Sequence, residues 1–241
     1  MSDAAATAGR TEFTFDSADG RSQVRAVLWV PLSMERADAA FGEPELGCFK
    51  PRGVVQLIHG MAEHIGRYDD FARFLADAGY LVAGHDHIGH GDTAGAPEHR
   101  GVIDAEGGAD AMIEDAQMLR LLVSQQVASG TPYFIFGHSM GSLVLRSYLP
   151  RYGSGLAGAI ICGTANEPVA VSRAGNLAAR AIARVRGDDY RSNLLHALAD
   201  GAYSRAIKDA RTPFDWLSRD PAVADAFMAD EASGCRFGAG A

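Results

Sequence analysis

The residues best suited to chemistry are Gly137-His138-Ser139-Met140-Gly141. They form a G-x-S-x-G sequence that directly follows an apolar stretch, Tyr133–Phe136, and directly precedes a helical one. A serine between small residues, with a strand behind and a helix ahead, predicts a turn too tight for side chains beneath it. Its hydroxyl then projects at the N-terminus of the helix, where the dipole and unpaired amides favour a developing oxyanion. Ser139 is the candidate nucleophile, and Gly137, His138 and Gly141 complete its elbow.

A second element, His59-Gly60-Met61, ends the apolar run Val54–Ile58. A turn there lets a backbone N–H face the same pocket as Ser139, so the amides of Met61 and Met140 are the candidate oxyanion donors. His59 and Gly60 would line that pocket, joined by His64 and Arg67 from the following loop. For the last two, a hydrogen-bonded loop histidine and a solvated arginine is the plainer alternative.

His85-Asp86-His87-Ile88-Gly89-His90-Gly91 gathers three histidines and an acid in a zinc-like spacing. No further ligand cluster accompanies them, and Gly89-His90-Gly91 suits a tight loop after a strand. The segment is therefore read as a loop beside the active site, with no metal. Arg173, Arg180 and Arg184 repeat at helical spacing, with Leu177, Ala181 and Val185 expected opposite them. Such a face could meet anionic lipid headgroups, although a charge stripe is usually only solvated.

The elements that must carry these groups follow from hydrophobic period. Phe13 and Phe15 alternate with polar residues, Ser17-Ala18-Asp19-Gly20 supplies a turn, and Val24, Ala26, Leu28 and Val30 alternate again, which predicts an antiparallel hairpin. A polar connection with Pro44 and Pro51 follows. Val54–Ile58 reads as a strand buried on both faces, Leu81-Val82-Ala83 as the next, then Tyr133–Phe136 and Ala159–Cys162. Between them, Tyr68, Phe71, Leu75 and Ala78 mark a helix stopped at Gly79. Met112, Ile113, Ala116, Leu119 and Val123 mark a second helix, and Ser139–Leu149 forms a third ended by Pro150. This alternation predicts a mostly parallel sheet with helices on both faces. From about Pro168 to Asp230 the chain is Ala/Arg-rich and helical in pattern, which suggests an inserted helical cap.

Composition limits the alternatives. The 241 residues are 47% hydrophobic and 22% charged, values of a globular domain rather than a disordered or coiled-coil chain. A net charge of −8 disfavours nucleic acid as a partner. Cys48, Cys162 and Cys235 are widely spaced and read as reduced thiols of a cytoplasmic protein. No basic start with an apolar run marks a signal peptide, and no stretch approaches the ~20 apolar residues that span a bilayer.

Taken together, the motifs resemble the α/β-hydrolase fold and, within it, the monoacylglycerol lipase and lysophospholipase-like group, also called the serine aminopeptidase S33-type hydrolases. His59-Gly60-Met61-Ala62-Glu63-His64 through Arg67-Tyr68 matches the group's H-G-x-x-E-H-x-x-R-Y stretch. Asp86-His87-Ile88-Gly89-His90-Gly91 matches its D-x-x-G-H-G loop, and Gly137–Gly141 its G-H-S-M-G elbow. Thr212-Pro213-Phe214-Asp215-Trp216-Leu217-Ser218-Arg219-Asp220 is similar to bacterial members, and the likeness runs from about residue 11 to 237.

The resemblance implies hydrolysis of a carboxylic ester, a monoacylglycerol or lysophospholipid, through an acyl-enzyme on Ser139 and without a cofactor. It implies a tail over residues 1–10, an α/β core over 11–167, a cap over 168–230 and a shortened return to the core over 231–241. The group's order is Ser, then acid, then His, with the last two beyond the cap. Here His196 lies in a helical setting and Glu167 just after a strand, so neither triad partner is assigned and the last strands are expected to be missing. Two alternatives stand beside the esterase: a catalytically incomplete homologue that binds lipid or a partner, and an S33-type aminopeptidase. With Ala159–Cys162 left as an open apolar edge, self-association through that strand is also expected.

Overall fold

The structure, a computed structural model, describes residues 9–31, 50–199, 203 and 207–241. Most of the expected N-terminal tail, the connection through Pro44, and Cys48 lie outside the described residues.

Six strands form one mixed sheet: β1 (Gly9–Asp16), β2 (Gln23–Val30), β3 (Val54–Ile58), β4 (Leu81–His85), β5 (Tyr133–His138) and β6 (Gly158–Cys162). Their order is β1-β2-β4-β3-β5-β6. The β1–β2 hairpin is antiparallel, with Phe13 opposite Ala26, and β2 runs antiparallel to β4. From β4 through β3 and β5 to β6 all pairings are parallel. The expected hairpin and parallel sheet are therefore both present, although β1 already begins at Gly9, within the segment expected as tail.

Period-two alternation divides the core into two layers. Ala26, Leu28, Val54, Ile58, Leu81, Ala83 and Ile135 face α2 (Gly108–Gln126) and α3 (Met140–Tyr152), where they pack on Leu119, Val123, Leu145 and Tyr148. Val27, Trp29, Val55, Leu57 and Val82 face the other way onto Ala72 and Ala76 of α1 (Asp69–Asp77). Helices on both sides explain why β3 and β4 are buried along their full lengths.

Two helices depart in detail from expectation. On α1 the small residues Ala72 and Ala76 are buried, whereas Phe74 is exposed and Phe71 lies half out against the Phe136 ring. Close approach of helix to sheet selects alanine there. Pro150 does not end α3, which runs on to Tyr152. A proline so near a C-terminus removes only one late hydrogen bond, and Gly153 N–H still closes on Leu149 C=O at 2.9 Å.

Beyond β6 come α4 (Val169–Arg186), α5 (Asn193–Ala199) and α6 (Pro221–Ala229). Ala183 alone is fully buried on α4. Leu177 and Val185 are as open to solvent as the arginines, so the expected apolar face opposite them is not turned inward. The last residues cross the loop that follows β4. Gly238 N–H donates to Gly101 C=O at 2.8 Å, Ala239 N–H to Tyr190 C=O at 3.0 Å, and Phe237 packs beside His90. The outer strand β6 leaves Ile160 and Ile161, which point to opposite faces, 50% and 43% exposed.

Candidate active site

The register of β3 and β5 brings the two principal motifs together. Ile58 pairs with Gly137, so the turn after β3 and the turn after β5 leave the sheet side by side. Ser139 occupies that second turn at φ 52°, ψ −120°, a conformation L-residues adopt at a cost of about 1–3 kcal/mol. The surrounding contacts enforce it. A Cβ on Gly141 would lie 2.2 Å from the Ile58 carbonyl oxygen, and one on Gly137 would lie 2.5 Å from that of Gly141. Ser139 N–H donates to Cys162 C=O at 2.9 Å, and its own carbonyl accepts from Ser142 N–H at 2.9 Å and from the Ser142 hydroxyl at 2.5 Å.

The Ser139 backbone is thus fully committed, while its hydroxyl has no hydrogen-bond partner among the described residues. The Met140 N–H heads α3 and the Met61 N–H follows Gly60; neither donates to a protein acceptor among the described residues. Gly60 lies against the serine, since a Cβ added to it would sit 3.2 Å from Ser139 Cβ.

The side chains behind this pair of turns form two supports. His59 is completely buried. Its Nδ1–H donates to the Gly60 carbonyl at 2.8 Å, and its Nε2 accepts the His87 N–H at 3.0 Å. Burial lowers its pKa below the ordinary histidine value, consistent with a neutral ring whose two nitrogens play opposite roles. Glu63 is the second support. Its Oε1 accepts the Gly60 N–H at 2.6 Å and the Tyr68 hydroxyl at 2.7 Å, and its Oε2 accepts Arg67 Nη1 at 2.7 Å. Tyr68 oxygen also lies 3.1 Å from His138 Nδ1, which therefore carries its proton. Burial alone would raise the Glu63 carboxyl, but His138, Tyr68 and the Gly60 amide bring it down to about 2.

The other residues expected to line the pocket take different places. His64 has both nitrogens engaged: Nδ1 accepts the Gly66 N–H at 3.2 Å and Nε2–H donates to Asp230 at 2.8 Å. It joins the loop to the end of α6 rather than lining an open pocket. Arg67 is not simply solvated: its guanidinium spans Glu63 and the face of the Phe227 ring, 4.5 Å from the ring centroid. His59 stands behind the turn, not on the surface of the site. His196 is on the exposed side of α5, and Glu167 is exposed after β6.

His85, His87 and His90 are buried together under the site, with the His87 ring centroid 4.4 Å from that of His59 and 5.0 Å from that of His85. Five of their six ring nitrogens have no protein hydrogen-bond partner. Among the described residues no group of three or more His, Cys, Asp or Glu side chains is arranged to hold a metal ion. Asp86 between them is the anchor of the loop: it accepts Ile65 N–H at 2.8 Å, Asp92 N–H at 3.1 Å and Arg25 at 3.1 Å. Sequence reasoning gave Glu63, Tyr68, Asp86 and Arg25 no task. The signal available for Glu63 was its place in the H-G-x-x-E-H-x-x-R-Y stretch, four residues before Arg67.

The family model described as Hydrolase_4, serine aminopeptidase S33, matches residues 49–238. The monoacylglycerol lipase of Mycolicibacterium smegmatis is 31% identical over 182 residues, which cover 75% of this chain and 56% of that protein. The monoglyceride lipase of Mus musculus is 33% identical over 109 residues, 44% of this chain and 34% of that protein. Among solved structures, a highly thermostable carboxyl esterase from Bacillus coagulans, in complex with glycerol, superposes with a TM-score of 0.78 at 33% identity over 95% of this chain and 67% of that one. The chain therefore spans about half or less of the length of the lipases it matches.

Proposed function

The chain belongs to the Hydrolase_4 family and has the α/β-hydrolase fold, and we propose that it is a serine hydrolase of carboxylic esters acting on single-chain lipids, monoacylglycerols or lysophospholipids. The observation that carries this reading is Ser139 itself, held at positive φ between two glycines that nothing larger could replace, with its hydroxyl unengaged. Ser139 Oγ attacks the acyl carbonyl, and the Met61 and Met140 amides receive the oxyanion. The proton given up by the Ser139 hydroxyl goes to the departing alkoxide, which leaves as an alcohol; water then adds to the acyl-enzyme, releasing the fatty acid and returning a proton to Ser139. The likeness to two lipases of monoacylglycerols and to an esterase supports the ester class.

The helices over residues 169–229 act in this reading as a cap above the site. α4 bears Arg173, Arg180, Arg184 and Arg186 without one acid, in a chain of net charge −8. Leu177 and Val185 protrude beside those arginines, 72% and 80% exposed. Arg173, Leu177, Arg180 and Arg184, spaced i, i+4, i+7 and i+11, share one outward arc, and cationic with apolar side chains there suit an anionic membrane surface, where lipid substrates reside. β6, with Ile160 and Ile161 open, is the strand through which a second copy would pair.

A second reading has its own support. No histidine or carboxylate is hydrogen-bonded to the Ser139 hydroxyl among the described residues, which favours a homologue that binds a lipid without turning it over. Labelling with a fluorophosphonate, together with hydrolysis of p-nitrophenyl esters of graded chain length, separates the two. Labelling and turnover that vanish in Ser139→Ala establish the hydrolase. A folded wild-type chain that neither labels nor hydrolyses overturns it in favour of the binding homologue.

A further inference from the structure

The amides proposed to receive the oxyanion sit on two different turns, and something must hold those turns in one geometry. A trans peptide fixes its N–H antiparallel to its C=O. The Gly60 carbonyl belongs to the same peptide as the Met61 N–H, so whatever holds the one directs the other. His59 Nδ1–H holds that carbonyl at 2.8 Å. The peptide on the other side of Gly60 is held by Glu63, whose Oε1 accepts the Gly60 N–H at 2.6 Å. Both peptides flanking a glycine, the residue with most rotational freedom, are thereby pinned.

Glu63 reaches further. Through the Tyr68 hydroxyl, at 2.7 Å, it engages His138, the residue immediately before Ser139, and His138 Nδ1 lies 3.5 Å from its Oε1. A single buried carboxylate oxygen thus joins the turn after β3 to the elbow after β5. Arg67 on Oε2 balances its charge. We infer that Glu63 is a positioning residue that sets the direction of the Met61 N–H relative to Ser139, acting through Gly60 on one side and Tyr68–His138 on the other. It does not touch substrate. The inference rests on the proposed oxyanion role of Met61.

The test compares wild type with Glu63→Gln, Glu63→Ala, Tyr68→Phe and, as a reference that removes only the outer partner, Arg67→Met. Glutamine keeps an oxygen acceptor for Gly60 and Tyr68 while losing the charge; alanine loses both. For p-nitrophenyl ester hydrolysis, Glu63→Ala is expected to lower kcat about 100-fold with KM within about twofold, as loss of an oxyanion donor does. Glu63→Gln should restore most of that loss, and Tyr68→Phe should fall between them. Backbone amide exchange read by NMR supplies the measurement independent of turnover. The Gly60 N–H should be protected in wild type and Arg67→Met, less so in Glu63→Gln, and unprotected in Glu63→Ala.

A Glu63→Ala protein with wild-type kcat, or an equal fall in all variants that tracks only their melting temperatures, overturns the inference. If Glu63→Ala does not fold, the Glu63→Gln and Tyr68→Phe pair decides: both at wild-type kcat would overturn it equally. Wild type that neither turns over esters nor reacts with a fluorophosphonate sinks the hydrolase reading. The clamp is then judged by exchange alone, and a Gly60 amide already unprotected in wild type refutes it.

Discussion

The backbone N–H of His87 donates to Nε2 of His59 at 3.0 Å, so the loop after β4 is tied to the turn after β3 by a neutral imidazole. A protonated ring could not accept that bond. His59 shares its burial with His85, His87 and His90, and desolvation depresses all four, His85 and His90 to about 3.

Acid should therefore destabilise this protein earlier than carboxylate titration would. A histidine whose folded pKa lies below its unfolded 6.5 contributes stability that is complete above pH 6.5 and is lost as pH falls toward the folded value. Each contributes a slope of about 1.4 kcal/mol per pH unit, so His85 and His90 together remove roughly 3 kcal/mol per unit. Thermal melts followed by Trp fluorescence should drop steeply between pH 6.5 and 5, and His85→Phe should flatten the slope by about one histidine's share. A melting temperature constant over that range contradicts the account.

Asp115 predicts the opposite sign. It is buried on α2, accepts the Ser17 hydroxyl at 2.8 Å and the Ala18 N–H at 2.7 Å, and burial raises its carboxyl to about 6. A folded pKa above the unfolded 3.8 means stability is lost as pH rises through that interval. Asp115→Asn mimics the protonated form and should stabilise the fold at pH 7 by about 1–3 kcal/mol in urea denaturation. The gain should disappear near pH 4; a gain equal at both pH values would mean another cause.

Ser139→Gly should raise stability while abolishing ester hydrolysis. Glycine accepts the φ of 52° without the Cβ penalty, which is worth about 1 kcal/mol, whereas Ser139→Ala retains the strain. Chemical denaturation of both variants distinguishes them, and equal midpoints would show that the elbow stores no strain.

Gly141→Ala should instead destabilise the fold. Its Cβ would stand 2.2 Å from one backbone oxygen and 2.5 Å from another, neither on a flexible side chain, so β3 and the elbow must part. We expect loss of at least about 3 kcal/mol, or an insoluble protein, together with loss of fluorophosphonate labelling. A soluble variant with wild-type melting temperature would refute the close packing.

For α4, sedimentation with vesicles containing anionic lipid should detect binding that weakens as salt rises. Replacing Arg173, Arg180 and Arg184 with glutamate should abolish it and leave hydrolysis of a soluble short-chain ester within about twofold. Equal binding to neutral and anionic vesicles would exclude an electrostatic docking face.

The chain's order of elements was legible because its causes are local. Apolar runs, broken in β3 only by Gln56, marked β3 and β4, helical spacing marked Met112, Ile113, Ala116, Leu119 and Val123, and all five of those side chains are buried as that spacing requires. The G-x-S-x-G elbow was legible for the same reason, since its conformation depends on the glycines two residues away on either side, Gly137 and Gly141. The inner face of α1 was not, because the choice of Ala72 over Phe71 depends on how closely the helix approaches the sheet.

Residue types and their spacing were enough to mark the candidate nucleophile, the parallel core and the pair of turns that meet at the carboxyl ends of the central strands. What holds those turns emerged only on folding. Glu63, His59, Tyr68 and His138 come from segments up to 79 positions apart (138 − 59), and only the alignment of β3 with β5 sets their rings and carboxylate within hydrogen-bond reach. Local pattern records the period of burial; a polar contact between distant segments leaves no period to read. The loop of His85, His87 and His90 was legible beside the site, but not that all three rings are buried together there and kept neutral by desolvation.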